Sequence, residues 1–381
     1  MGTASSTLSR RAEREVGAMR ISVYAIAKDE RKFCARWMDS MREADEVVVL
    51  DTGSVDGTPD VLRSLGAKVE VREIRPWRFD VARNESMGLV SLGSDILVCT
   101  DLDEVLLPGW RAKLEAAWTD ALAHGRWPTT AQYEYVWSFN PDGSDGLKFL
   151  YEKVHAPGVA RWTHPVHEVL DYGGGRKETV RVDGMRLEHH ADPGKSRAQY
   201  LPLLEMSVAE CPDDDRNMHY LGREYMFYGR WEDCIRTLRR HLAMPSATWR
   251  AERAASMRYI AKSYVALGMP TEAERWLLRA VMEAPDQREP ALELAELALS
   301  AKDWQLLVRA AEACLAVRER KMSYLTRSEA WGARPYDLYS LGLWYTGRRS
   351  EAVAANAKAM ALAPDDARLK ENDAVMRRQM A

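Results

Sequence analysis

The sequence predicts two consecutive folds: an α/β domain on a mostly parallel, Rossmann-like sheet, then an all-α domain of helical repeats. Three observations predict it. Short apolar runs alternate with helix-like stretches over residues 21–155, which builds a mostly parallel sheet covered on both faces. From about Arg197 the apolar spacing becomes helical and stays so to the end. Within that stretch a pattern recurs at fixed offsets. A length of 381 residues is too great for one ordinary domain. The expected divisions are a disordered leader at 1–19, the α/β domain at 20–195 and the repeat domain at 196–381.

In chain order, Ile21–Ala27 (ISVYAIA) reads as a buried strand and Arg31–Arg42 as a helix. Glu46–Leu50 (EVVVL) is a second strand that ends at Asp51, and DTGSVDGTP follows as turn chemistry. Thr58 is placed to cap a helix with Pro59 at its first position. Lys68–Ile74 is a third strand, Asp80–Leu92 a helix, Ile96–Cys99 (ILVC) a fourth strand and Pro108–Ala123 a helix. Residues 130–190 change character. AQYEYVWSF and LKFLYEKV alternate like strands around PDGSDG, a turn, so added antiparallel strands are expected.

The repeat is read from offsets. Gly268 is followed by Ala273, Ala280 and Pro285, and Gly347 by Ala352, Ala359 and Pro364, at the same spacings of five, twelve and seventeen. Gly229, Cys234 and His241 match the first part of this pattern, and Lys302, Leu307 and Cys314 match it loosely. Small residues at such places let paired helices approach closely. The pattern resembles tetratricopeptide repeats, with about four degenerate units between roughly 215 and 370.

Composition narrows the function classes. An apolar fraction of 46% suits a folded protein, and a net charge of −3 provides no overall basic field for nucleic acid or anionic membranes. Five scattered cysteines without a CxxC pair argue against zinc ribbons and disulfide frameworks. No run approaches the roughly 18 apolar residues of a membrane span. The opening MGTASSTLSRRAEREVGAM is rich in Ser, Arg and Ala and lacks the apolar centre of a secretory signal. Met19, directly before the first strand, is an alternative start. A cytoplasmic location is the expectation.

The acidic residues carry the chemistry. Asp101-Leu102-Asp103-Glu104 follows the ILVC strand directly. Alternating residues of an extended chain point the same way, and ligands gather at the carboxyl ends of such sheets. Mg²⁺ and Mn²⁺ take oxygen ligands and bridge to substrate phosphates. Asp51-Thr52-Gly53-Ser54 follows the second strand, and Lys28-Asp29-Glu30 the first. Each alone reads equally as a solvated turn; their convergence on three strand ends is the argument. GxGxxG and GxxxxGK[ST] are absent, which disfavours dinucleotide and P-loop readings.

With AIAKDE, VVVLDTGSVDGT, FDVARNES and ILVCTDLDEVLLPG in order, residues 21–110 resemble family-2 glycosyltransferases of the GT-A fold. AKDE stands where KNE is commoner. The resemblance implies that Ala27, Glu30, Asp51, Arg83, Asp101 and Leu102 bind a nucleotide sugar, a UDP-sugar in the first instance. It implies Mn²⁺ or Mg²⁺ on the DxD element, with Asp103 and a later His as ligands, His189 or else His190. It also implies inverting displacement, in which a carboxylate deprotonates the acceptor and no covalent intermediate forms.

Trp162-Thr163-His164-Pro165-Val166-His167-Glu168 and Glu188-His189-His190 hold four of the eight histidines. Packing in a β-rich lobe is the plain alternative. Glu168 is the first candidate base, with Asp142 and Asp145 as rivals that also read as a surface turn. The repeats could brace the catalytic domain, form a homodimer, or dock a macromolecular or glycan acceptor such as a peptide. Tyr225, Phe227, Tyr228 and Trp231 could line a peptide groove or pack in the core. A DNA acceptor is a minor alternative, because Arg236–Arg240 and Arg348-Arg349 read as solvated helix faces. The competing functions are a non-catalytic scaffold with a degenerate nucleotide-sugar module, and a nucleotidyltransferase, whose Gly-rich loop after the first strand is missing.

Overall fold

A computed structural model describes residues 19–140, 142–192, 194 and 198–380. All of the expected leader except Met19 lies outside these residues. The chain divides into two compact units. The first comprises the described residues of 1–138, 150–164 and 168–193, and the second those of 139–149, 165–167 and 194–381.

The first unit holds an eight-stranded sheet in the order β3-β2-β1-β4-β7-β6-β10-β5. β1 (Ile21–Ala27), β2 (Glu46–Asp51), β3 (Lys68–Val71) and β4 (Ile96–Cys99) are mutually parallel. Continuous apolar runs suit strands covered on both faces, and Ile21, Val23, Val49, Leu50, Ile96 and Val98 are fully enclosed. The chain steps outward from β1 to β2 and β3, then returns to β4 on the other side of β1. That reversal is where open α/β sheets form a crevice. Helices α1 (Cys34–Met41), α2 (Thr58–Ser64), α3 (Phe79–Gly88) and α4 (Trp110–Ala123) alternate with these strands.

The remaining strands are β5 (Glu104–Leu106), β6 (Thr130–Val136), β7 (Lys148–His155) and β10 (Thr179–His189) in the sheet, with β8 (Arg161–Thr163) and β9 (Val169–Asp171) as a separate pair. The expected antiparallel additions are found at β4–β7 and β10–β5, but β10 runs parallel to β6. Element ends also move. The first helix begins at Cys34 rather than Arg31 because residues 31–33 are a turn. β3 stops at Val71, short of Ile74. Thr58 is not the cap: Gly57, at φ +86, takes that place, and the Thr58 hydroxyl instead donates to Asp56 Oδ1 at 2.6 Å.

The second unit is helical: α5 (Tyr200–Glu210), α6 (Asp215–Phe227), α7 (Trp231–Ala243), α8 (Arg250–Ala266), α9 (Pro270–Glu283), α10 (Arg288–Ala301), α11 (Trp304–Ala316), α12 (Arg334–Tyr345), α13 (Arg349–Leu362) and α14 (Ala367–Arg378). The repeat offsets acquire a physical meaning here. Gly229, Gly268, Lys302 and Gly347 all have positive φ at the turn inside a helix pair. The residues five and twelve places later, Cys234 and His241, Ala273 and Ala280, Leu307 and Cys314, Ala352 and Ala359, are all 0% exposed. Helix approach is close enough that a Cβ on Gly222 would lie 2.3 Å from Leu238 Cδ2. Among the described residues, no helix is long and apolar enough to cross a membrane.

Candidate functional site

The site is built where β1, β2 and β4 end at the same edge. Ala27 pairs with Asp51 across β1 and β2, and Tyr24 with Cys99 across β1 and β4. The loops beyond β1 and β2 are laced together by short polar side chains. Asp29 Oδ1 accepts from Val55 N at 2.8 Å, Asp56 Oδ2 accepts from Arg31 N at 3.0 Å, and Thr58 Oγ1 accepts from Glu30 N at 2.9 Å. Asp29 holds φ +54, a left-handed conformation that Asp tolerates better than most residues. Asp51 is fully enclosed, and its carboxylate accepts from Gly53 N at 3.0 Å, Ser54 N at 2.8 Å and Ser54 Oγ at 2.6 Å. It therefore shapes the 51–54 loop. The Ala27 carbonyl accepts from Thr52 N at 2.8 Å and Thr52 Oγ1 at 3.1 Å.

Beyond β4 a string of alternating charges is buried. α3 is set on the sheet by Ser86 Oγ, which donates to Ala25 O at 2.6 Å. This brings Arg83, only 4% exposed, over the strand ends. Its Nε donates to Glu168 Oε1 at 2.5 Å, its Nη2 lies 2.9 Å from Asp101 Oδ1, and its guanidinium sits 5.3 Å from the Trp162 ring. Lys153 on β7 donates to Asp101 Oδ2 at 2.8 Å and Glu104 Oε1 at 3.0 Å, and Tyr135 Oη donates to Glu104 Oε1 at 2.7 Å. Asp101 is thus held between two cations.

The members are wholly or largely taken out of water and compensated by their neighbours. Burial opposes the Arg83 charge, but Asp101 and Glu168 raise its pKa well above the ordinary value. Burial would raise the Asp101 carboxyl, yet Arg83 and Lys153 drive it far below the usual carboxylate range. Glu104 goes the other way: burial first, then the Asp101 charge, push it up against Lys153. Two carboxyls three residues apart are thereby driven in opposite directions, as in sites that divide acid and base roles.

Asp103 and His189 meet at the other side of the acidic segment. His189 Nε2 lies 3.6 Å from Asp103 Oδ2, and Asp103 O accepts from His190 N at 2.8 Å. His189 Nδ1 lies 3.0 Å from Trp137 O, and the two rings stack at 4.4 Å. A carbonyl only accepts, so Nδ1 carries the proton and Nε2 is directed toward Asp103. That arrangement fits a metal-ligating histidine, whose second nitrogen usually donates to a carbonyl. The carboxylate is the donor type that suits Mn²⁺ or Mg²⁺, with the imidazole the softer partner. Leu102 is 1% exposed and packs in the core. His190 turns to Glu188, its Nε2 3.4 Å from Oε2.

Glu168 lies just beyond a loop in which His164 and His167 have φ +77 and +52, values rare outside glycine. Asp142 accepts from Ser144 N at 2.9 Å and Ser144 Oγ at 2.6 Å, bonds that lower its pKa and mark it as a turn residue. Asp145 lies 3.1 Å from Lys148 Nζ. The structure therefore gathers Arg83, Asp101 and Glu168, and pairs Asp103 with His189. Lys153 and Tyr135 are members that sequence reasoning did not single out, and Glu104 was read only as part of the acidic segment. In the helical unit, Tyr225 is buried and donates to Glu205 at 2.9 Å, while Phe227 and Tyr228 are exposed. Arg239 and Arg240 are engaged, donating at 2.9 Å to Tyr264 Oη and Pro212 O.

Comparison with known proteins finds a family match and several partial likenesses. Residues 22–187 match the family model described as Glycosyl transferase family 2. A TPR repeat-containing protein of Synechococcus elongatus is 26% identical over 152 residues, which is 40% of this chain and 35% of the relative. The chain thus spans about a third of that relative's length. Two solved structures are similar to part of the chain: MamA protein, 17% identical with TM-score 0.35 over 44% of this chain and 83% of that one, and YrrB, described as a TPR protein with an unusual peptide-binding site, 14% identical with TM-score 0.38 over 46% of this chain and 83% of that one. Residues 22–187 thus match family 2 glycosyltransferases, and the helix pairs follow that match in the chain.

Proposed function

We propose that the glycosyltransferase domain moves a sugar from a nucleotide-diphosphate donor, a UDP-sugar in this reading, to a peptide or glycan acceptor with inversion at the anomeric carbon. The observation that supports it most is the meeting of acidic residues from β1, β2 and β4 at one sheet edge within the family 2 match. In this reading the Ala27–Glu30 segment and the loop shaped by Asp51 cradle the nucleoside. Asp103 and His189 would hold Mn²⁺ or Mg²⁺, which supplies positive charge to the leaving diphosphate. Arg83 and Lys153 fix Asp101 beside that place in a low-dielectric setting, where oriented charges act most strongly. Glu168, held in position by Arg83 Nε, takes the acceptor proton. The exposed aromatics Phe227 and Tyr228 offer a surface to a peptide acceptor, with the helix pairs also available for self-association.

The test is nucleotide release from UDP-, GDP- and dTDP-sugars with and without Mn²⁺. The expected result is metal-dependent turnover of one donor class, lost by a factor of about 10² or more in Asp103→Asn. Glu168→Gln should lose turnover while donor binding persists. Absence of both turnover and nucleotide binding across the set would remove the enzymatic reading.

A further inference from the structure

The first helical repeat departs from the others at one buried place. Twelve residues after the turn, the later units bury Ala280, Cys314 and Ala359, whereas the first buries His241. An imidazole in a position otherwise filled by small or apolar groups must be satisfied by something. His219 on α6 and Glu252 on α8 lie with it. One ring nitrogen from each histidine and one Glu252 oxygen fall within 4.8 Å of one another, and all three residues are buried.

We propose that His219, His241 and Glu252 bind a divalent transition-metal ion, Zn²⁺ by donor type, that ties α6, α7 and α8 together. The ring nitrogens His219 Nε2 and His241 Nε2 are enclosed and make no hydrogen bond. His241 Nε2 lies 3.6 Å from Glu252 Oε1, too long for a hydrogen bond. Two imidazoles and one carboxylate are an established zinc donor set, with water completing the coordination.

The surroundings orient these donors. Ser256, one helical turn after Glu252, lies 2.7 Å from His219 Nδ1 and 3.0 Å from His241 Nδ1. Its hydroxyl oxygen has two lone pairs and can accept from both Nδ1–H groups, the tautomer that turns both Nε2 lone pairs toward a cation. Tyr324 Oη donates to Glu252 Oε2 at 2.5 Å and fixes the carboxylate. Arg216 and Arg223 lie near enough to His219 to oppose added positive charge. Glu252 is therefore the ligand on which charge compensation depends.

The experiment uses the full chain carrying Asp103→Asn, so that the proposed glycosyltransferase metal site does not contribute. After chelation and dialysis, Zn²⁺ is titrated by calorimetry, and thermal unfolding is followed with and without the ion. One equivalent should bind and raise the unfolding temperature. Binding should be lost in His219→Gln/His241→Gln and in Glu252→Gln, and weakened about 10- to 100-fold in Ser256→Ala. If the double variant does not fold, the visible spectrum of the Co²⁺-loaded histidine-intact chain decides instead: intense bands of low-coordinate Co²⁺ that Zn²⁺ displaces support the site. A folded histidine-intact chain that binds neither ion, or binding unchanged by the substitutions, overturns it. The outcome is independent of whether the first unit transfers a sugar.

Discussion

The two units bury charge in different ways, and the difference separates a site from a scaffold. In the first, Glu168, Arg83, Asp101, Lys153 and Glu104 form one alternating string at the strand ends. In the second, Glu293 on α10 gathers Arg258 Nη2 at 2.6 Å, Lys262 Nζ at 3.2 Å and Arg327 Nη1 at 2.9 Å from neighbouring segments. Both arrangements neutralise buried charge. The helical one closes around a single carboxylate and joins successive repeats. The sheet one opens at its middle member, Asp101, whose side chain keeps 32% of its surface open. A desolvated carboxylate held by two cations yet still accessible is suited to meet a ligand; one enclosed by three cations is suited to hold helices.

Removing one of the two cations of the string is the largest test of this contrast. Lys153→Met leaves Glu104 with only the Tyr135 hydroxyl and the Asp101 N–H, and Asp101 with Arg83 as its one cation, stranding buried negative charge. The expected loss is on the order of 3–5 kcal/mol, read by urea unfolding, with hydrogen exchange accelerating in β4 and β7. Lys153→Met/Glu104→Leu should recover part of that loss, because removing both partners deletes the stranded charge. A loss under about 1 kcal/mol in the single variant would mean that the string is no tighter than a surface ion pair.

Acid sharpens the comparison, because each unit has a carboxylate held at about 2. Glu46 is opposed by burial but lowered by hydrogen bonds from Lys68, Ser91 and Ser22. Glu293 is opposed by burial but lowered by the charges of Arg258 and Lys262. With an unfolded value near 4.3, each contributes fully above about pH 4.5 and loses its contribution as pH falls toward 2. The magnitude is on the order of 2–3 kcal/mol each. Glu46→Gln should flatten the acid limb for exchange in β1 and β2 only, and Glu293→Gln that in α8 and α10 only. Equal flattening in both regions by either variant would contradict the assignment.

Packing supplies the next smaller effect. Gly222→Ala would place a Cβ 2.3 Å from Leu238 Cδ2, and Leu238 is fully enclosed. About 1–3 kcal/mol of destabilisation is expected, relieved in part by Leu238→Ala. Full tolerance of the single change would show that the α6–α7 contact yields, unlike the sheet core.

The same contrast explains what the sequence could reveal. The repeats were legible because a turn glycine and two small residues recur at fixed offsets, and the physical demands at those places are local. The parallel half of the sheet was legible because its strands are apolar runs ending in acidic loops. Lys153 was not, because alternation in LKFLYEKV cannot tell a lysine turned toward an acidic cluster from one in solvent. Only the pairing of Val154 with Val98 brings it beside Asp101. Thr58 looked like a cap because Ser and Thr usually are; Gly57 displaced it by taking the left-handed conformation itself. Asp51 reads as a ligand-facing residue at a strand end, but its carboxylate oxygens serve its own loop.

Lys302 provides the finest test of whether the repeats obey one rule. It stands where the other units have Gly229, Gly268 and Gly347, and it adopts φ +56 in place of a glycine. A left-handed conformation costs a residue with a Cβ roughly 1–2 kcal/mol, whereas glycine costs about 0.5–1 kcal/mol more chain entropy on folding. Lys302→Gly should therefore stabilise the chain by about 0.5–1 kcal/mol, with exchange slowed in α10 and α11 and unchanged in the sheet. Gly268→Lys should run the opposite way by a similar amount, since no atom crowds that position and φ +73 alone decides the outcome. If both substitutions destabilise, the turn glycines are set by something other than backbone conformation, and the offset pattern loses its physical basis.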